Sequence, residues 1–182
     1  MFRRLNSSAR FPRANLAVIA RSVGVGLLLT TKQALALPQD SEQPIHIHSD
    51  SAELDQNKNL AIYRGSVRME QGTLVVTADT MTIELENKLV VRITAEGDRA
   101  HYQQQFKADQ SMVNADAKTI VYYTQEDRVE LTGNAYLTQD KNEFTGELIN
   151  YNVREGKVDA QSNGQGKVQV ILQPATLKKT QP

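Results

Sequence analysis

The stretch Ala61-Ile-Tyr-Arg-Gly-Ser-Val-Arg-Met-Glu-Gln-Gly-Thr-Leu-Val-Val-Thr-Ala-Asp-Thr-Met-Thr-Ile-Glu-Leu85 decides the fold. Apolar residues take alternate positions, Val67 and Met69, then Leu74, Val76 and Ala78, with polar residues mostly between them. This pattern predicts two β-strands joined at Gln71-Gly72. After Asp79 the apolar positions change parity, to Met81, Ile83 and Leu85. Side chains on a strand alternate faces with a period of two, so the change predicts a bulge or bend near Asp79-Thr80.

The same arrangement returns along the chain. Gly65 precedes Gln71 by six positions, Gly97 precedes Gln103 by six, and Gly133 precedes Gln139 by six. A second strand follows each, marked by a small residue next to an acid or near-equivalent: Ala78-Asp79, Ala108-Asp109 and Gly146-Glu147. The repetition predicts β-hairpin units of about 30 to 40 residues, stacked one on the next.

Outward from these units, the first 36 residues carry five arginines, an apolar run over Val23–Leu29 and a small-x-small signal at Ala34-Leu35-Ala36. That is the layout of a cleaved secretory signal peptide, with an apolar run too short to span a bilayer. The other reading is an uncleaved membrane anchor. Residues 37–182 hold 15 basic against 21 acidic side chains, a formal net charge of −6 that the near-neutral whole chain conceals. No basic stripe is available to neutralise phosphates, so the sequence predicts no nucleic-acid partner. The chain has no cysteine, which removes disulfides and thiolate sites and suits export to a bacterial periplasm.

Turn clusters at Asp55–Asn59, Glu86–Lys88, Gln125–Asp127, Asp140–Asn142, Arg154–Lys157 and Ser162–Gly164 separate further alternating segments. Pro44 and Pro174 bracket the region with none between, as an unbroken hydrogen-bonded sheet requires. The expected organisation is a leader over 1–36, a flexible lead-in over 37–43, an all-β domain over 44–174 and a disordered tail over 175–182. Lys107 to Asp116 reads ambiguously, as a turn or a short helix.

Few residues suggest chemistry. His46 and His48 share a strand face that Asp50 would continue, a set that could seat a metal, although a surface pair beside inward Ile45 and Ile47 is the simpler account. His101 lacks a recognisable nucleophile or carboxylate partner by spacing, and the facing of His101 and Tyr102 is undecided. No nucleophile elbow, phosphate-cradling glycine loop or zinc-protease pattern occurs, so neither enzymatic activity nor a cofactor is expected. The apolar stripes allow a sealed interior or a groove able to take a lipid chain. Alternation assigns the inward face to Ile45, Ile47, Ile83, Phe106, Ile120, Tyr122, Leu131, Leu137 and Phe144.

Gln43-Pro-Ile-His-Ile-His-Ser-Asp50, Tyr63-Arg-Gly-Ser-Val-Arg-Met-Glu-Gln-Gly72, Thr77-Ala-Asp79 and Leu131-Thr-Gly-Asn-Ala-Tyr-Leu137 together resemble the OstA-like family, over roughly residues 43 to 172. The last unit departs from the family in having Gly146-Glu147 for Ala-Asp. The resemblance implies an open antiparallel β-jellyroll that binds lipopolysaccharide through its lipid A chains, in the periplasm. It implies an inner-membrane anchored jellyroll partner, an outer-membrane translocon and a head-to-tail homo-oligomer. A lipid-free structural adaptor acting through its strand edges is the competing expectation.

Overall fold

The computed structural model describes residues 40–106, 112–164 and 166–174. The expected leader and tail, and the pair Ala108-Asp109, lie outside the described residues. Ten strands form one antiparallel sheet: β1 (His46–His48), β2 (Ser51–Asp55), β3 (Leu60–Gln71), β4 (Leu74–Glu86), β5 (Leu89–Gln104), β6 (Val113–Tyr123), β7 (Arg128–Gln139), β8 (Asn142–Asn152), β9 (Lys157–Gln161) and β10 (Gln169–Ile171). From β3 to β8 each strand pairs with the next; β1 and β2 both pair with β3, and β9 and β10 both pair with β8. The ambiguous stretch is strand from Val113 onward. Among the described residues no helix is long and apolar enough to cross a membrane.

The turns are local decisions of the sequence. Asn87-Lys88 closes β4 on β5 with φ of 50° and 66°, and Asp140-Lys141 closes β7 on β8 with φ of 51° and 68°. Two consecutive positive φ values give the two-residue turn whose twist matches its flanking strands, and Asn and Asp tolerate that conformation best among residues with side chains.

The bend expected at Asp79 is one point on a line that crosses the whole sheet. Pairing slips between Arg64 and Val67, Thr77 and Thr80, Glu96 and Ala100, Asp116 and Thr119, and Thr132 and Ala135, each at the level of the last. On β4 the buried positions pass from Leu74 and Val76 to Met81 and Ile83, the parity change read from sequence. The same change takes β5 from Ile93 and Ala95 to Ala100 and Tyr102, and β6 from Ala115 and Ala117 to Ile120. β3 and β7 keep their parity instead and bulge at Gly65-Ser66 (φ 83° and 45°) and Gly133-Asn134 (φ 84° and 51°). Glycine makes this left-handed step without the steric penalty of a Cβ. Of the three expected small-plus-acidic pairs, Ala78-Asp79 and Gly146-Glu147 stand on this crease. On β6 the crease position is Ala117-Lys118.

The crease folds the sheet onto itself. Tyr102 pairs with Ala115, and Tyr122 lies seven residues further along the same strand, so on a flat sheet the two tyrosines would stand roughly 20 Å apart. Their ring centroids are 6.0 Å apart, edge to face. Phe106, just past β5, and Tyr151, at the far end of β8, would be separated still further, yet their centroids lie 6.2 Å apart. The first leaf therefore comprises Val67–Gln71 and the segments paired beside it, edged by β1 and β10. The second comprises Leu60–Arg64 and its neighbours, edged by β2 and β9. The inner faces of the two leaves cover each other and form a single apolar cluster.

Candidate functional site

Among the described residues, the space between the leaves is where the sequence concentrates apolar side chains on facing surfaces. Ile83, Ile120, Leu131 and Leu137 are buried there, with Leu131 and Leu137 wholly closed to solvent. Ile47, Phe106, Tyr122 and Phe144 are half-buried and pack against the same cluster from its margin. Ile45 is different: it precedes β1 and is 36% exposed, outside the packed cluster. β1 begins only at His46 and does not carry Ile45 into the interior.

The nine residues assigned inward omit several others. Met69, Met81, Tyr102, Ile149 and Tyr151 are buried between the leaves. Ile149 and Tyr151 stand two apart on β8, a signal available in the sequence. Tyr102 was obscured because polar Gln104 follows it on the same face. The structure resolves the undecided pair: Tyr102 points inward, and His101 points outward, where its Nδ1 meets Asp116 Oδ1 at 3.0 Å.

The interior is uncharged. Burial raises the Tyr102 phenol well above its ordinary value, pushes Tyr122 up to about 12 and raises Tyr151 as well, so all three rings stay neutral near neutral pH. At the rim of the first leaf stands a polar group. Asp40, in a turn of 3-10 helix over Asp40–Glu42, accepts hydrogen bonds from Thr73 N, Thr73 Oγ1 and Gln104 Nε2, each at 2.7 Å. Gln104 Oε1 in turn accepts a hydrogen bond from the Tyr102 hydroxyl. Gln71 Nε2 donates to the carbonyl of Gln43 at 3.0 Å. This end of the expected flexible lead-in is thus anchored to the sheet, because a carboxylate attracts strong hydrogen bonds where the β3–β4 turn presents an N–H and a hydroxyl side by side.

The outer face is polar and laddered with ion pairs. Arg92 bonds Glu84 through both Nε and Nη2, and Arg99 reaches Asp116 at 3.1 Å. Partial burial opposes the charge on Asp116, but hydrogen bonds from Arg99 and His101 outweigh it and hold the carboxyl below its usual value. His46 and His48 are exposed opposite Glu70 and Arg68. Among the described residues no group of three or more His, Asp or Glu side chains is placed to hold a metal ion.

Both lateral edges of the sheet end in short strands with a neighbour on one side only. Leu54 on β2 is 66% exposed, and Val170, Ile171 and Leu172 at and after β10 are also exposed. Apolar side chains next to unpaired backbone groups form a surface suited to strand addition.

A single antiparallel sheet creased onto its own apolar face, with two open edges, defines an open β-jellyroll. The family model described as LptA/(LptD N-terminal domain) LPS transport protein matches residues 46–157, and the chain belongs to that family. It is 38% identical over 138 residues to the lipopolysaccharide export system protein LptH of Pseudomonas aeruginosa, covering 75% of this chain and 79% of that one. It is 33% identical over 155 residues to the lipopolysaccharide export system protein LptA of Escherichia coli, covering 84% and 83%. The crystal structure of Pseudomonas aeruginosa LptH, described as the LptA homologous periplasmic component of the lipopolysaccharide transport device, superposes with a TM-score of 0.69 at 33% identity. The match covers 75% of this chain and all of that one.

Proposed function

We propose that this protein carries lipopolysaccharide through the periplasm, with the acyl chains of lipid A held between the two leaves and the anionic sugar in solvent. The observation that carries the reading is the inner face itself: two facing apolar surfaces, free of charge, joined along a crease and held at the mouth by aromatic contacts. Exposing each acyl CH₂ to water costs about 0.8 kcal/mol, so one 14-carbon chain carries on the order of 10 kcal/mol. A lipid entering the interior would replace leaf-on-leaf contacts with its own. Ile47, Ile83, Phe106, Ile120, Tyr122, Leu131, Leu137 and Phe144 line the path, with Ile45 at its rim.

The open edges supply the partners. Strand addition at β1 and β2 on one side, and at β9 and β10 on the other, would join copies head to tail. Because such contacts need not close, they would extend into a bridge. The ends of that bridge would continue into an inner-membrane anchored jellyroll and an outer-membrane translocon. The acidic surface suits an anionic cargo that must not adhere. Processing after residue 36 would release the protein from its leader, and sequencing the exported N-terminus checks that step.

The wholly closed side chains of Leu131 and Leu137 favour a second reading, a lipid-free adaptor that works through its edges alone. A photo-crosslinker at Ile47 or Tyr122 and another at outward His46 separate the two. Capture of lipopolysaccharide at the first two positions and not at His46 supports the carrier. Equal capture at all three, or none at any, leaves the adaptor.

A further inference from the structure

We propose that Asp40 is a positioning residue that keeps the two leaves shut: through Gln104 it fixes Tyr102 against Tyr122 of the opposite leaf, and its release opens the inner face. The inference deepens the carrier reading and rests on it for its purpose, but opening can be read without any lipid. The connection runs between residues distant in the chain, from Asp40 Oδ2 to Gln104 Nε2 at 2.7 Å, from Gln104 Oε1 to the Tyr102 hydroxyl, and from the Tyr102 ring to Tyr122 at 6.0 Å.

Three features make this a built device and not a chance contact. Asp40 also accepts from Thr73 N and Thr73 Oγ1, so the carboxylate is held from two sides of the rim. Residue 72 leaves it room: a Cβ on Gly72 would lie 2.2 Å from Asp40 Oδ1. Gln104, 6% exposed, is the polar side chain found among the buried described residues, and its amide is satisfied by Asp40 on the nitrogen and by Tyr102 on the oxygen. With Asp40 gone, the Gln104 nitrogen would be buried without a partner. Orphaning a buried donor is unfavourable enough to drive the amide toward water. That movement removes the acceptor holding the Tyr102 hydroxyl, and with it the fixed edge-to-face contact across the mouth.

The chain has no cysteine, so a single Ala95→Cys on the inner face of the second leaf reports opening through its rate of modification by a small thiol reagent. In that background Asp40→Ala is expected to raise the rate about tenfold or more, the loss of one charge-assisted hydrogen bond being sufficient for that factor. Gln104→Met, which keeps the volume and removes the amide, should do the same, and the double variant should be no faster than the faster single. Amide hydrogen exchange over Val129–Leu137 should stay as slow as in the parent, since parting the leaves leaves the strand ladders intact. An unchanged labelling rate overturns the proposal. So does a faster rate matched by equal loss of amide protection, which would reduce Asp40 to an ordinary stabilising contact. Binding of purified lipopolysaccharide, measured separately on the parent, judges the carrier reading alone.

Discussion

The inner faces of the leaves and the lateral edges of the sheet are built from the same residue types and end in opposite states. Leu131 and Leu137 are closed to solvent, whereas Leu54 is 66% and Leu172 67% exposed. The difference is topological. The crease gives each inner face a partner inside the chain, but a sheet that does not close into a barrel always leaves two edges unpaired. The inner face is therefore satisfied until something displaces it, and the edges remain unsatisfied until something is added. The proposed carrier, joined to others in a bridge, would require both conditions at once.

Damage to the inner face should have the largest effect. Leu137→Ala removes a fully buried side chain from the contact between the leaves and is expected to lower stability by about 2 to 5 kcal/mol, read from the urea midpoint at unchanged slope. A loss under about 1 kcal/mol would mean that the interior is loosely filled, and the contrast with the edges would weaken.

Alkali should act next, chiefly through the buried tyrosines of the interior. Burial pushes Tyr122 up to about 12 from an ordinary value of 10.0. A raised folded-state value contributes stability that is fully present below the unfolded value, so stability should hold to about pH 10 and fall as pH rises toward 12. Tyr122→Phe removes that proton and should flatten this limb of the curve, measured as urea midpoints at successive pH values. An identical alkaline loss in the variant would assign the effect to the other raised tyrosines, Tyr102, Tyr136 and Tyr151.

The smallest effect on the monomer is expected at the edge. Val170→Asp replaces a side chain that is 47% exposed and should change monomer stability by no more than about 0.5 kcal/mol. Sedimentation velocity over a concentration series should nevertheless show weakened self-association. Undiminished association would place the junction elsewhere and end the functional contrast between the two regions.

The strands and turns were legible because their signals are local. Alternation in Val67, Met69, Leu74 and Val76 sets the pleat, and pairs such as Asn87-Lys88 set the hairpins. The change of parity after Asp79 gave the bend without any structure. Only part of the site was legible. Ile83, Ile120, Leu131 and Leu137 follow the alternation into the interior, whereas Ile45 lies outside the packed cluster. Tyr102 was left undecided because polar Gln104 interrupts the stripe, and the reason for that interruption, Asp40, lies 64 residues away.

By itself the sequence determined the all-β architecture, the resemblance to the family and the acidic, cysteine-free character of residues 37–182, since each depends on composition or on neighbours a few positions apart. Only the tertiary structure decided that the separate bulges align into one crease, that Tyr102 meets Tyr122 across it and that Asp40 bonds Gln104 and Thr73 at the rim. Alignment of bulges depends on the register between strands, and contact between leaves depends on the fold angle that all the bulges set together. Neither quantity is encoded in any single strand.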